Sequence, residues 1–340
     1  MTGRSCATKK RKLSLHTELW SVRTPFRISG KTWEQVHLAV CEIEEDGRVG
    51  RGEGAGVYYL DDEPAAMSRQ IATAADHIES GISREQLLDV LPAGGARNAV
   101  DCALWDLEAQ HAERSVWNLV GIEEGPIDTT MTVGLESDPA AMAEKAAAAC
   151  EFRIIKVKLD GDRPVERIHA IREARPDARL IVDVNQAWDF GQLQRFAPAL
   201  RDLGVIFIEQ PLPRGRDAEL SGYTSPLPLC ADESCLDSRE LWWVDGRYQM
   251  INIKLDKCGG LTSALALAAD ARRRGLGLMV GNMLCTSLGI GPAHIIARLA
   301  DFADLDGPLL LTYDRPQGMR YEGGQVLPQQ GRFWGTGQPR

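Results

Sequence analysis

Ile154-Ile155-Lys156-Val157-Lys158, Leu180-Ile181-Val182-Asp183, Val205-Ile206-Phe207-Ile208-Glu209, Leu229-Cys230-Ala231-Asp232 and Ile251-Asn252-Ile253-Lys254 share one pattern: a short apolar run that ends in charge. Each run is rich in β-branched residues and lacks helical periodicity, which reads as a strand buried on both faces. The runs start roughly 25 residues apart, and helical patterns at 166–175, 193–203 and 263–274 lie between them. Buried strands alternating with helices make a βα repeat. Further strands are expected at Thr130–Gly134, Gly277–Gly281 and Phe302–Asp306, which makes eight and predicts a closed (β/α) barrel over residues 126–306.

Outside the barrel the pattern changes. In residues 1–125, His37 to Ile43 reads as a strand, Glu45-Asp46-Gly47-Arg48 as a turn, and residues 63–77 and 96–109 as helices, so this part is expected to be an α+β domain. Gly50-Arg51-Gly52-Glu53-Gly54-Ala55-Gly56 lacks the strand-loop-helix context of a phosphate site and reads as a flexible loop. Lys9-Lys10-Arg11-Lys12 reads as a solvated tail. Residues 307–340 are expected to return and pack on the first domain.

The chain has 340 residues and a net charge of -9, which argues against polyanionic partners: no nucleic acid and no anionic membrane is expected. No apolar stretch approaches the roughly 18 residues of a membrane span, and no signal-type segment follows the basic run. The eight cysteines show no C-x-x-C or zinc spacing. Reduced thiols in a cytoplasmic enzyme are the expectation.

Barrel active sites lie at the C-terminal strand ends, where these charges fall. Lys158 and Lys254 end the second and sixth strands, which are opposed in a ring of eight. Asp183, Glu209 and Asp232 end the three strands between them. Three converging carboxylates raise one another's pKa unless a cation sits among them, and oxygen-only ligation favours Mg²⁺ over zinc. Metal on one side and amines on opposite faces suits proton removal next to a carboxylate, with the enediolate neutralised and the proton returned from the other face. Lys156 points the same way as Lys158, and a neighbouring positive charge and the metal are both expected to depress the base's pKa. Asn185, two residues past Asp183, is a candidate for fixing a ligand.

Lys156-Val157-Lys158, Asp183-Val184-Asn185-Gln186, Glu209-Gln210-Pro211, Ala231-Asp232-Glu233-Ser234 and Asn252-Ile253-Lys254 resemble the enolase superfamily, in its muconate-lactonizing subgroup. The resemblance covers nearly the whole chain, including the helix Arg97 to Asp106. It implies an α/β fold, a modified TIM barrel with an α+β capping domain, in which Asp183, Glu209 and Asp232 bind Mg²⁺. Lys158 and Lys254 are then the acid/base pair, and Lys156 helps hold a substrate carboxylate. Val280-Gly281-Asn282-Met283-Leu284 has no His, unlike the mandelate-racemase type.

Asp304-Leu305-Asp306 ends the eighth strand, and is expected to lie across the mouth from Glu209, too far from the metal to ligate it. This D-x-D is similar to that of dipeptide epimerases, where it binds the substrate ammonium while the C-terminal residue is epimerised. Leu284-Cys285-Thr286-Ser287 and Phe302 to Pro308 resemble the Ala-Glu epimerases of murein-peptide recycling, which places Cys285 among the substrate-binding candidates and implies a homo-oligomer. The departure is in the cap loop: Trp33 stands where those enzymes carry an arginine for the glutamate side chain, leaving Arg27 or Lys31 to substitute. An indole favours an apolar or cationic side chain instead. Tyr58, Tyr59 and Leu60 are candidates for closing over the substrate. The rival enzyme readings are an o-succinylbenzoate synthase, an N-succinylamino acid racemase or a cycloisomerase, none of which binds an ammonium.

Overall fold

The structure, a computed structural model, describes residues 11–338. Strands β1 (Lys12–Ile28), β2 (Lys31–Glu45) and β3 (Arg48–Gly54) form an antiparallel sheet in that order. Its apolar face, Ala39, Cys41 and Ile43, packs on the helix Gly95–Ala112. β2 pairs with β1 from Lys31 onward but with β3 only over Ala39–Glu45, so the sheet splits at Gly54.

The glycine-rich run is the strand β3 and its exit, not a flexible loop. A Cβ at Gly52 would fall 2.0 Å from the carbonyl oxygen of Ala99, and one at Gly50 2.1 Å from that of Ala103. Glycine serves here as a missing side chain that lets a strand lie directly on a helix backbone. The basic run also differs from expectation. Lys9 and Lys10 lie outside the described residues, but Arg11 Nε reaches Glu45 at 3.2 Å and its Nη1 donates to the Ile82 carbonyl at 2.7 Å, while Lys12 opens β1. A partner on β2 draws this end of the run into the fold.

After the short β4 (Ile127–Asp128) come β5 (Thr130–Val133), β6 (Ile154–Lys158), β7 (Arg179–Asp183), β8 (Val205–Glu209), β9 (Leu229–Ala231), β10 (Met250–Ile253), β11 (Gly277–Val280) and β12 (Phe302–Ala303). These eight parallel strands neighbour one another in sequence order, and a bridge from Thr129 to Ala303 closes the ring. Helices Pro139–Ala148, Pro164–Ala174, Phe190–Asp202, Leu261–Arg273 and Ser287–Ala297 line the outside. Ile154, Ile181, Phe207, Cys230, Met250 and Met279 pack together inside. Side chains on a strand repeat every two residues, so Lys156, Asp183, Glu209, Asp232 and Asn252 stand one layer above this apolar plug. Charge is thereby confined to the barrel mouth.

The two parts are joined by buried polar contacts. Arg97 donates to the Cys258 carbonyl at 2.6 Å and the Gly259 carbonyl at 3.1 Å, and Asp101 accepts from Thr262 Oγ1 at 2.6 Å. Asp256 Oδ1 accepts from the backbone N–H of Ala55 at 2.9 Å and of Gly56 at 3.1 Å. Beyond the barrel, β13 (Tyr321–Glu322) and β14 (Gln325–Val326) pair with β4, while Leu311 bridges Val22 and Phe333 accepts from Arg51. Among the described residues no helix is long and apolar enough to cross a membrane.

Gly52→Ala is expected to cost about 3 kcal/mol or more, because helix backbone cannot yield to the new methyl. Gly47→Ala, with φ of +74° and nothing within 4 Å, should cost only about 1 kcal/mol of backbone strain. Urea unfolding of both variants separates the two; equal losses would refute the packing argument.

Candidate active site

Lys156 is 1% exposed, and its Nζ lies 3.0 Å from Asp183 Oδ2, 2.8 Å from Glu209 Oε2 and 2.8 Å from Asp304 Oδ2. Lys158 Nζ stands 2.6 Å from the same Asp183 oxygen. Lys254 Nζ and Lys257 Nζ take the two oxygens of Asp232, at 2.8 and 2.7 Å. The five charged strand ends therefore converge, with carboxylates and ammoniums alternating. Asp304, across the ring from Glu209, shares the Lys156 ammonium with it. An eight-stranded barrel is only wide enough for side chains to fill, so one ammonium bridges from Asp183 and Glu209 to Asp304.

This packing sets the electrostatics. Burial raises the Asp183 carboxyl, but Lys156 and Lys158 overcome it and hold the group at about 2. Burial likewise opposes Lys254 and Lys257 at Asp232, yet the lysines keep it well below the ordinary range. Glu209 is raised by burial and by Asp183, and Glu233 is pushed up to about 8 by burial and by Asp232. Burial and Asp304 push Asp306 up to about 7. Burial lowers Lys254, but the facing Asp232 more than offsets burial and keeps the ammonium charged.

Several positioning groups were not picked out in the sequence. Lys257 donates to Asp232 and to the carbonyls of Asn252 and Cys235, tying the ends of β9 and β10 together. Asn252 donates to Glu209 Oε1 at 2.7 Å. Gln210 accepts from the backbone N–H of Asp232 and Ser234 and donates to the Leu212 carbonyl. Asn185, Gln186 and Gln210 carry φ of 44°, 69° and 35°, left-handed backbone of a kind that costs ~1–3 kcal/mol per residue and concentrates at functional sites. Because the chain turns there, Asn185 does not continue the strand alternation; its backbone N–H donates to Asp183 Oδ1 at 3.0 Å.

The donors available to a cation are all oxygens. Among the described residues, Glu209 Oε2, Asn185 Oδ1 and Glu233 Oε2 are buried without a hydrogen-bond donor, the contact of Lys156 with Glu209 Oε2 lacking hydrogen-bond geometry. Among the described residues no three His, Cys, Asp or Glu side chains stand close enough together to hold a metal by themselves, since lysines are interleaved among them. Oxygen donors with unsatisfied lone pairs, and no His or Cys among them, fit a hard divalent cation better than zinc.

A cavity of 680 Å³ opens above this layer, lined by Lys158, Lys254, Asp232, Asn185 and Glu233 from the barrel. Trp33, Lys31, Tyr58 and Tyr59 line it from the cap, with Tyr58 packed edge-on against Trp33 at 5.2 Å and the Lys31 ammonium 4.9 Å over the Tyr58 ring. Leu60 is 46% exposed and takes no part in the lining. Arg27 is exposed and outside the lining, and its carbonyl accepts from the Leu135 N–H. Cys285 is buried against Asn282, also away from the cavity wall. Asp304 and Asp306 are buried too: Asp304 accepts from Thr130 Oγ1 at 2.6 Å and Asp306 from the Thr132 N–H at 2.7 Å, and neither lines the cavity.

A ring of eight parallel strands with alternating lysines and carboxylates at its mouth, capped by a three-stranded sheet and helices, is the architecture of the enolase superfamily. The chain belongs to it. Residues 10–121 match the mandelate racemase / muconate lactonizing enzyme N-terminal domain, and residues 138–332 the enolase C-terminal domain-like family. It is 42% identical over 318 residues to the L-Ala-D/L-Glu epimerase of Escherichia coli K12, covering 93% of this chain and 99% of that one. An N-acetyl-D-glutamate racemase from a Pseudoalteromonas species is 44% identical over 250 residues, 74% of this chain and 79% of that one. Among solved structures, an Agrobacterium tumefaciens enolase-family member with bound sodium and L-Ala-L-Glu superposes with a TM-score of 0.93 at 40% identity, covering 96% of this chain and all of that one.

Lys156→Met strands three buried carboxylates without their shared counter-charge and should destabilise the fold by about 3–5 kcal/mol. Adding Asp304→Asn should recover part of that loss. Urea titrations of the single and double variants check this, and strict additivity would deny the coupling.

Proposed function

We propose that this protein epimerises the C-terminal residue of a dipeptide of the L-Ala-D/L-Glu type, with Mg²⁺. The observation that carries the reading is that Lys158 and Lys254, from strands four apart in a ring of eight, both line one cavity. Amines on opposite walls can remove the α-proton from one face and deliver a proton to the other. Asp183, Glu209 and Asp232 would hold the Mg²⁺, which would supply positive charge to the carboxylate of the substrate as its α-proton leaves. Lys156 supplies a further positive charge to that carboxylate, and Asp304 and Asp306 receive the ammonium end.

Lys31 supports an acidic side chain on the epimerised residue. Its ammonium makes no ion pair within 4.0 Å among the described residues, yet it faces the cavity over Tyr58 and Trp33. A substrate carboxylate reaching the cap would complete that charge, in the role Trp33 cannot fill. The seven described cysteines are all free thiols, which supports a cytoplasmic setting.

A second reading is an N-acyl amino acid racemase. It is favoured by the engagement of Asp304 with Lys156 and Thr130, outside the cavity wall, and by the likeness to the N-acetyl-D-glutamate racemase.

Incubation with Mg²⁺ in D₂O, with α-deuterium followed by mass spectrometry, tests both. Exchange is expected on L-Ala-L-Glu and to be far weaker on N-acetyl-L-glutamate; the reverse order would hand the assignment to the racemase. EDTA should abolish exchange and Mg²⁺ restore it. Lys158→Ala and Lys254→Ala should each lose at least a thousandfold in epimerisation, while one of them retains exchange from a single enantiomer; full activity in both would end the two-base assignment. Lys31→Ala should lower kcat/KM for L-Ala-L-Glu about tenfold relative to L-Ala-L-Phe, about 1.4 kcal/mol of lost charge pairing.

A further inference from the structure

Lys158 and Lys254 face the same cavity, but the chain beyond each is held differently. After Lys158 the hydrogen bonds stay inside the barrel: Leu159 N–H donates to the Asp183 carbonyl at 2.9 Å, and the Asp160 carbonyl accepts from Trp188 Nε1 at 2.9 Å. After Lys254 they divide. Lys254 caps the helical turn Leu255–Cys258, in which Lys257 reaches back into the barrel to Asp232 while Asp256, one residue earlier, reaches into the cap. Asp256 is 7% exposed, and its Oδ1 accepts from the N–H of Ala55 at 2.9 Å, the N–H of Gly56 at 3.1 Å and Asn98 Nδ2 at 3.2 Å. Among the described residues, every hydrogen bond between residues 55–65 and the barrel ends on this carboxylate.

Ala55 and Gly56 lie in the cavity wall, and so do Tyr58 and Tyr59 just beyond them. The loop has little freedom to adjust by itself. Gly56 has φ of +73°, a Cβ there would fall 1.8 Å from the Asp62 carbonyl oxygen, and Asp62 Oδ2 accepts from Gly95 N–H at 2.6 Å. Its height over the barrel is therefore set at the Asp256 end. The ring it carries sits in the field of the second base: burial raises the Tyr58 hydroxyl, Glu233 adds to that, and Lys254 opposes both. A carboxylate two residues from Lys254 thus fixes how far Tyr58 stands from it. Such spacing matters, because a misplacement of about 1 Å can cost a reaction roughly a hundredfold.

Resting on the two-base reading above, we infer that Asp256 is a positioning residue for the Lys254 half of the reaction: it sets the second cap loop against Lys254 so that the α-carbon is held within reach of that base, and it has no counterpart at Lys158. Once one lysine has taken the α-proton, the carbanionic intermediate divides between return of a proton from the same lysine and delivery from the opposite one. Asp256 weights that division toward Lys254.

Asp256→Ala reads this out. L-Ala-L-Glu and L-Ala-D-Glu are each incubated with Mg²⁺ in D₂O, and deuterium in the recovered starting epimer, which is exchange, is compared with formation of the other epimer, which is inversion. Lys254→Ala identifies the epimer that Lys158 deprotonates, since only that one still exchanges. For this epimer Asp256→Ala should raise the ratio of exchange to inversion at least threefold, and for the other epimer it should lower the ratio. A cap that had merely loosened would slow both reactions and leave both ratios unchanged, which overturns the inference. Asp256→Asn keeps an acceptor oxygen for Ala55 and Gly56 and should restore at least half of the change; no restoration counts equally against it. Should Asp256→Ala not fold, Tyr58→Ala decides: it should skew both ratios in the same directions, and unchanged ratios reject the positioning role. If the wild-type protein neither exchanges nor inverts either epimer, the two-base reading fails and this inference falls with it, an outcome distinct from wild-type turnover with unchanged ratios in the variants.

Discussion

Lys156 is enclosed by Asp183, Glu209 and Asp304, and the barrel mouth is arranged around that ammonium. Removing a charge from water costs several kcal/mol even after relaxation, so a buried lysine persists only with close partners. Each partner brings its own burial cost, which Lys158 offsets at Asp183, Asn252 at Glu209 and Thr130 at Asp304. The layer holds Asp183, Glu209, Asp232, Glu233, Asp304 and Asp306 against four lysines, and the surplus shows where pKa values rise: Glu233 to about 8, Asp306 to about 7, Glu209 in the same direction. An excess of buried carboxyl oxygen is the electrostatic basis for expecting a cation there.

The barrel was legible because burial on both faces writes an unbroken apolar run, and a charge at its end stands out against that background. β6, β7 and β8 end where the charged residues stand, at Lys158, Asp183 and Glu209. Lys257 escaped notice because it sits past the strand, inside a helical turn, and reaches back 25 residues to Asp232. Local periodicity carries no trace of such a contact. The sharing of Lys156 between Asp304 and Glu209 was not legible, because strand order gives angular position but not the reach of a lysine across a narrow ring. Gly50 and Gly52 misled for a related reason: the same residue type serves mobility and close approach, and only the neighbouring helix distinguishes them.

The cap was the least legible part. Trp33 was singled out and does line the cavity, but Arg27 points elsewhere and Lys31, two residues before the indole, faces it. Alternation along β2 puts Lys31 and Trp33 on one face. Which face meets the barrel is decided by contacts with no local signature, such as Asp256 holding Ala55 and Gly56 across 200 residues of chain.

That tether affects the order in which the site comes into being. The cap walls belong to the first 65 residues, the lysines and most carboxylates to the middle of the chain, and Asp304 to its last barrel strand, while residues 311–335 fasten back onto the sheet. A growing chain that folds from its N-terminus holds the cap walls before the paired lysines and carboxylates of the barrel, and those before the final partner of Lys156. The buried charge layer of the barrel mouth is therefore complete only once Asp304 has packed against Lys156, so the site acquires its final electrostatics late in synthesis.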